Sequence, residues 1–254
     1  MRAHAAGAAI PKSERGAAIA LGNFDGVHRG HQVVIESARK AAASLNAPLG
    51  VAVFAPHPRR VFAPDSPPFR LQSRAQRARA LEALGVDELY EIGFDRALAQ
   101  SSDAEFAEHV LHQQLGVKHV SIGADFRFGR GRMGDAASLA KLGERFGFSV
   151  DAVSLLPGAE DKVSSSAIRT AIAAGDMGAA ADLLSRPGAI EGEVQRGFAR
   201  GRGFGIATAN VPLGDYVRPD SAFTPCACAW ARRCTRASPA SASIPPSARC
   251  RSRC

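Results

Sequence analysis

Cysteine is missing from the first 225 residues of this 254-residue chain; all five (Cys226, Cys228, Cys234, Cys250 and Cys254) fall in the last twenty-nine. A disulfide framework distributes its bridges through the fold, so none shapes the body of this protein. Cys226 and Cys228 stand one residue apart, too close for the usual zinc knuckle, and no histidine follows Cys234. Long apolar runs are missing too: no window approaches the ~18 uninterrupted residues a membrane span needs, and the first dozen residues hold no apolar leader core. A soluble, cytoplasmic chain with no membrane partner is the expectation. Acidic residues are absent from 221–254, a stretch with six arginines. It supplies most of the formal charge of +8, since residues 1–220 carry 26 basic against 24 acidic side chains. With a near-neutral body and few aromatics interleaved among the arginines of the tail, no nucleic-acid partner is expected.

What is present is a core. Hydrophobic residues make up 46% of the chain, enough for one large α/β domain and part of a second. Residues 1–16 are Ala-rich without a sustained period and read as a frayed N-terminus. Ala17–Leu21 reads as a buried strand, about 30–44 as a helix with Val33, Val34, Ala38, Ala41 and Ala42 inward, and Leu49–Phe54 as a second strand. The alternation continues with strands at 88–92, 117–122 and 149–155 and helices at 72–84, 102–115 and 136–146. Two short helices follow, at 164–174 and 177–184. Alternating strand and helix predicts parallel strands with right-handed crossovers, a doubly wound Rossmann-like sheet over residues 17–185. After Arg186-Pro187-Gly188 the texture turns Gly-rich and strand-like, at 190–194 and 201–213, which predicts the opening of a β-barrel domain over 186–220. From 221 to 254 the composition is Arg, Ala, Ser, Pro and Cys with no hydrophobic period, so a disordered tail is expected there.

The sharpest motif is Gly22-Asn23-Phe24-Asp25-Gly26-Val27-His28-Arg29-Gly30-His31, at the handover from first strand to first helix. In an open parallel sheet, ligands bind beyond the carboxyl ends of the strands, where a helix N-terminus offers free N–H groups to phosphate. Gly26 and Gly30 allow close backbone approach. His28 and His31, one turn apart, share a side of the helix start and could stabilise charge building on a phosphate. In Phe54-Ala55-Pro56-His57-Pro58 two prolines fix a corner after the second strand, and His57 could face the phosphates. The Gly-rich loop from Asp125 to Asp135 mixes Phe126 and Phe128 with Arg127, a mixture suited to holding an aromatic ring beside phosphate. Ser164-Ser165-Ser166 opens a helix: Ser165 reads as the cap, the other groups face outward, and Arg169 one turn on can clamp a phosphate. His109 and His112 lie opposite the stripe of Phe106, Val110 and Leu111 and read as a solvated face.

The string GNFDGVHRGHQ resembles the signature of the prokaryotic bifunctional riboflavin kinase/FMN adenylyltransferase family. The segments Phe54–Arg59, Gly123–Gly129 and Val163–Arg169 are similar to its F-x-PHP-R, G-D-DFRFG and ISST-x-IR motifs, in the same order over about 170 residues. Ala124 stands where the family has an acidic residue. The resemblance implies transfer of AMP from ATP to FMN, giving FAD. On it, His28, His31 and Arg169 act in catalysis. Gly22, Asn23, Phe24, Gly26, Gly30, Ser164, Ser165 and Ser166 hold ATP, and His57, Asp125, Phe126, Arg127 and Phe128 hold FMN or nucleotide. Mg²⁺ enters with ATP, without a protein cage of its own.

Gly201–Asn210 is similar to the GR-x-x-GFPTAN motif of the family's riboflavin kinase barrel, with Thr208 and Asn210 matching and Ile206-Ala207 in place of Phe-Pro. The family continues from there in strands, including an acidic base, whereas this sequence turns into its arginine- and cysteine-rich tail. A frameshift near residue 220 is the reading, with kinase activity on riboflavin lost, residues after about 186 poorly ordered, and trimming there sparing FAD formation. The alternatives are another HxGH transferase, acting on phosphopantetheine, nicotinamide mononucleotide or a cytidylyl acceptor, and a flavin- or nucleotide-binding remnant without turnover.

Overall fold

The computed structural model describes residues 1–154, 163–195 and 210–220. Its centre is one sheet of six strands, all parallel: β1 (Arg2–His4), β2 (Ala18–Leu21), β3 (Leu49–Ala55), β4 (Glu88–Gly93), β5 (His119–Gly123) and β6 (Ser149–Val153), in the order β1-β4-β3-β2-β5-β6. The chain winds outward from β2 to β3 and β4, then returns to the other side of β2 to lay down β5 and β6. That reversal makes the β2/β5 crevice the switch point, where the carboxyl ends of the strands leave room for a ligand.

The strands sit on two cores because their side chains alternate faces. Ile19 and Leu21 of β2 join Phe54, Ile92, Val120 and Ile122 on one face, under the helical segments of residues 103–114 and 136–146. Ala18 and Ala20 join Leu49, Val51, Val53 and Leu89 on the other, under α1 (Arg29–Leu45) and α3 (Arg74–Ala83). Small residues on β2 let α1 lie close to the sheet. Gly50 answers to the opposite face, where neighbouring strands crowd it: a Cβ there would stand 2.8 Å from Ile19 and 3.0 Å from Tyr90. Val33, expected inward on α1, is 42% exposed; the buried stripe is Val34, Ile35, Ala38 and Ala42.

The remaining helices are α2 (Pro58–Phe62), α4 (Arg96–Gln100), the single turn α5 (Asp103–Glu105), α6 (Ala136–Phe146), α7 (Ser165–Ala173) and α8 (Met177–Leu184). The expected helix at 102–115 forms as α5 running into a π-helix, Phe106–Gln114. His109 and His112 are on its exposed side.

The structure corrects the reading of both ends of the module. Residues 1–16 are not frayed: β1 adds to the β4 edge, and His4, 9% exposed, bonds Glu88 at 2.8 Å and stacks on Tyr90. A short strand of mixed composition carries little hydrophobic period, so its pairing left no trace in the sequence. After Leu184, residues 190–194 form no strand, and among the described residues the expected barrel is represented only by an antiparallel bridge between Gln195 and Asn210. Residues 213–220 nonetheless pack against the first module. Thr208, residues 201–209 and the tail from 221 lie outside the described residues.

Candidate active site

The turn between β2 and α1 is wound tightly enough that Phe24 and Val27 adopt φ of 48° and 43°, and Gly26 of 96°. Positive φ at two bulky residues persists only where the surroundings hold it. Here the surroundings are specific. Gln72 donates to Phe24 C=O at 3.1 Å, Arg77 to Asn23 C=O at 3.3 Å, and Arg186 to Gly26 C=O at 2.5 Å and Val27 C=O at 3.3 Å. The φ of Gly26 favours glycine, and a Cβ there would also stand 2.9 Å from the end of Leu71 and 3.2 Å from that of Leu184, which would have to shift.

His28 caps α1: its Nδ1 accepts His31 N–H at 3.3 Å, which places the proton of the neutral ring on Nε2. The two imidazoles stack with centroids 3.6 Å apart, and Phe24 lies against His31 at 4.9 Å. Burial pushes His28 down to about 4; it also holds His31 well below the ordinary imidazole value, helped by His28 and Arg169. Both rings are therefore neutral at pH 7. Nδ1 of His31 and Oδ1 of Asn23 are buried and make no hydrogen bond.

The serine helix docks on this turn. Ser164, rather than Ser165, caps α7, accepting Ala167 N–H at 3.1 Å, because the residue before the helix is the one with extended backbone. Ser165 instead donates to Asp25 C=O at 2.8 Å, and Ser166 is exposed. Arg169 turns inward: Nε donates to Phe69 C=O at 2.7 Å and a terminal nitrogen to the Asp25 carboxylate at 2.7 Å. Asp25, 1% exposed, also accepts Leu71 N–H. His57 caps α2 and packs edge-on against Phe69 at 4.9 Å; burial, with Arg70, Arg169, Arg77 and Arg59 nearby, pushes it down to about 3.

The loop after β5 is further from expectation. Phe128 is 6% exposed, stacked on Phe126 and packed against Phe106 in the core, so it holds the loop down and offers no face to a ligand. Arg127 is exposed and 3.8 Å from Asp135, while Asp125 is exposed just beyond the end of β5. A shallow surface groove of about 210 Å³ between α2 and α4, lined by Val61, Phe62, Arg96, Ala99 and Gln100, opens at the carboxyl side of β3 and β4. Phe62 there is 68% exposed. The sequence reading passed over Asp25, Phe69, Gln72, Arg77 and Arg186. Asp25 alone carried a signal, an acid between the turn glycines; the others are identified only by what they reach.

A parallel sheet whose switch point carries a histidine-stacked HxGH turn, faced by a serine-opened helix, defines the HxGH class of Rossmann-like α/β proteins. The sequence model of the FAD synthetase family matches residues 10–167, and the chain belongs to that family. A riboflavin kinase model matches residues 184–232. Three bifunctional riboflavin kinase/FMN adenylyltransferases are similar to the chain: that of Escherichia coli K12 is 38% identical over 206 residues, 81% of this chain and 66% of the relative. That of Pseudomonas fluorescens is 41% identical over 78% and 64%, and that of Haemophilus influenzae 40% identical over 81% and 67%. The chain thus spans about two thirds of the length of these relatives. A solved structure from Streptococcus pneumoniae, described as a macrolide-efflux protein, superposes with a TM-score of 0.70 at 32% identity, over 80% of this chain and 67% of the other. Among the described residues no helix is long and apolar enough to cross a membrane.

Proposed function

We propose that the module adenylylates FMN: an oxygen of the FMN phosphate attacks the α-phosphorus of ATP, the new P–O bond forms as the bond to the β-phosphate oxygen breaks, and pyrophosphate leaves with FAD as product. The observation that carries this reading is the stacked, neutral, partly unpartnered pair His28 and His31 on the first turn of α1. A triphosphate arriving there meets N–H donors already oriented, and its charge favours protonation of rings that burial keeps neutral beforehand. The reaction needs positioning and charge stabilisation more than covalent chemistry. Ser164 and Ser166 border the same turn, and His57 and Arg169 meet at Phe69. The groove beside Phe62 supplies apolar surface within the same end of the sheet for the flavin ring.

Among the described residues no group of three or more His, Cys, Asp or Glu forms a cage for a cation. In this reading Mg²⁺ arrives on the phosphates, since this ion keeps waters and substrate oxygens in its shell and takes one or two carboxylates at most. Asp125, just after β5 at the same end of the sheet, is our candidate for a carboxylate that such a complex would take. Mg²⁺ would neutralise charge on the departing pyrophosphate.

The test is FAD formation and pyrophosphate release by the purified chain with ATP, Mg²⁺ and FMN. His28→Ala and His31→Ala are each expected to lower kcat by ~10²-fold or more with little change in folding. Wild-type rates in either variant would overturn the reading.

A further inference from the structure

Residues 210–220 lie beyond the FAD synthetase match and inside the riboflavin kinase match, yet most of them pack on the first module. Arg70 N–H donates to Asp215 C=O at 2.8 Å, and Val217 N–H donates to Arg70 C=O at 2.9 Å, one rung of a parallel pairing. Between them Tyr216 is 9% exposed, and its hydroxyl donates to Gln76 Oε1 at 2.6 Å, the oxygen that also accepts Ser73 N–H at the start of α3. The same hydroxyl accepts Glu191 N–H at 3.3 Å. Asp215 pairs with Arg60 of α2, and Val217 joins the small core of Leu71, Ile168, Ala180 and Leu184.

What this strap clamps is Phe69–Leu71, and the links of those residues lead into the site. Phe69 C=O holds Arg169, Leu71 N–H holds the Asp25 carboxylate, and the Phe69 ring carries His57 on one edge and Arg59 on its face. Three residues outside any named helix or strand lose backbone entropy on being fixed. The pairing with Asp215 and Val217 and the burial of Tyr216 offset that cost at this point of the chain. We infer that Asp215–Val217, anchored by Tyr216, is a positioning element of the adenylyl-transfer site: the segment that begins the kinase match completes the transferase.

This inference rests on the FMN-adenylylating reading, and the experiment separates the two. In the full chain, kcat and KM for ATP and FMN are measured for Tyr216→Ala, Tyr216→Phe and Asp215→Ala, at a temperature where melting curves show each folded. Hydrogen exchange is followed in parallel on the peptide covering residues 66–73. Tyr216→Ala is expected to lower kcat ~10-fold or more and to speed exchange at Leu71, because a shift of about 1 Å at reacting groups is already costly. Tyr216→Phe keeps the ring and the backbone rung and is expected to stay within ~3-fold of wild type. Should Tyr216→Ala fail to fold, Asp215→Ala takes its place with the same expectation. A folded Tyr216→Ala chain, or Asp215→Ala in its place, with wild-type kcat and wild-type exchange at Leu71, whatever its melting temperature, overturns the inference. If the wild-type chain makes no FAD, it is the function that fails, and exchange at Leu71 then decides whether the strap clamps this loop.

Discussion

The histidines of this site are tuned by burial before any substrate arrives. An unfolded chain binds protons near the ordinary imidazole value of 6.5, whereas the folded chain holds His28 at about 4 and His57 at about 3. Between those values the unfolded state carries more protons, so stability rises with pH across the window. It is complete above about 6.5 and is lost as pH falls from there toward 4 and then 3. His28 alone accounts for a loss on the order of 3 kcal/mol. Urea unfolding at pH 7.5, 6 and 5 checks this, with His28→Gln expected to flatten the dependence. Bound triphosphate works in the opposite direction, so ATP binding near pH 6 should take up protons, measurable by calorimetry in buffers of different ionisation enthalpy. Asp25 is the other residue whose burial matters: replacing it with Ala leaves Arg169 and Leu71 N–H without their acceptor. That loss should cost ~3 kcal/mol by chemical denaturation as well as FAD formation.

At the scale of elements, the HxGH turn is held in a backbone conformation its own residues disfavour. Three side-chain donors from outside the turn, Gln72, Arg77 and Arg186, grip its carbonyls, and α7 contributes Ser165. Arg77 is 2% exposed and burial pushes it down to about 10, a cost incurred to place a guanidinium beneath Asn23 with Glu91 at 3.5 Å. Gly26→Ala should therefore affect both folding and chemistry. Its Cβ would collide with Leu71, and φ of 96° is strained for any L residue. A destabilisation of ~1–3 kcal/mol and a fall in kcat together are expected, read by denaturant midpoint and FAD assay.

For the whole molecule, the sheet places chemistry and its edges separately. β1 is three strands from β2, so removing residues 1–5 should uncover the β4 edge and leave Glu88 without His4, without touching the switch point. A lower melting temperature and greater aggregation, with kcat unchanged where the protein is folded, are the expected results. The opposite end is not so separable. Arg186 grips the HxGH turn, Arg29 bonds Ser185 at 2.7 Å, and Tyr216 lies against α3, so a boundary drawn at 186 cuts through contacts of the site.

The sequence by itself determined the strand and helix alternation, the parallel winding, and the turn that carries His28 and His31, because hydrophobic period and glycine placement are local properties. Helix 136–146 was legible to the residue, capped by Asp135 and ended by Gly147 in the left-handed region. Only the tertiary structure decided which groups meet. Asp25 and Arg169 are 144 positions apart, and Tyr216 and Gln76 are 140 apart. No local pattern encodes such pairs; they exist because the crossovers bring α7, the Phe69–Leu71 segment and the strap to one end of the sheet. Phe128 shows the same limit from the other side. An aromatic in a Gly-rich loop reads as ligand surface until the fold places Phe106 beneath it and the loss of water makes it core.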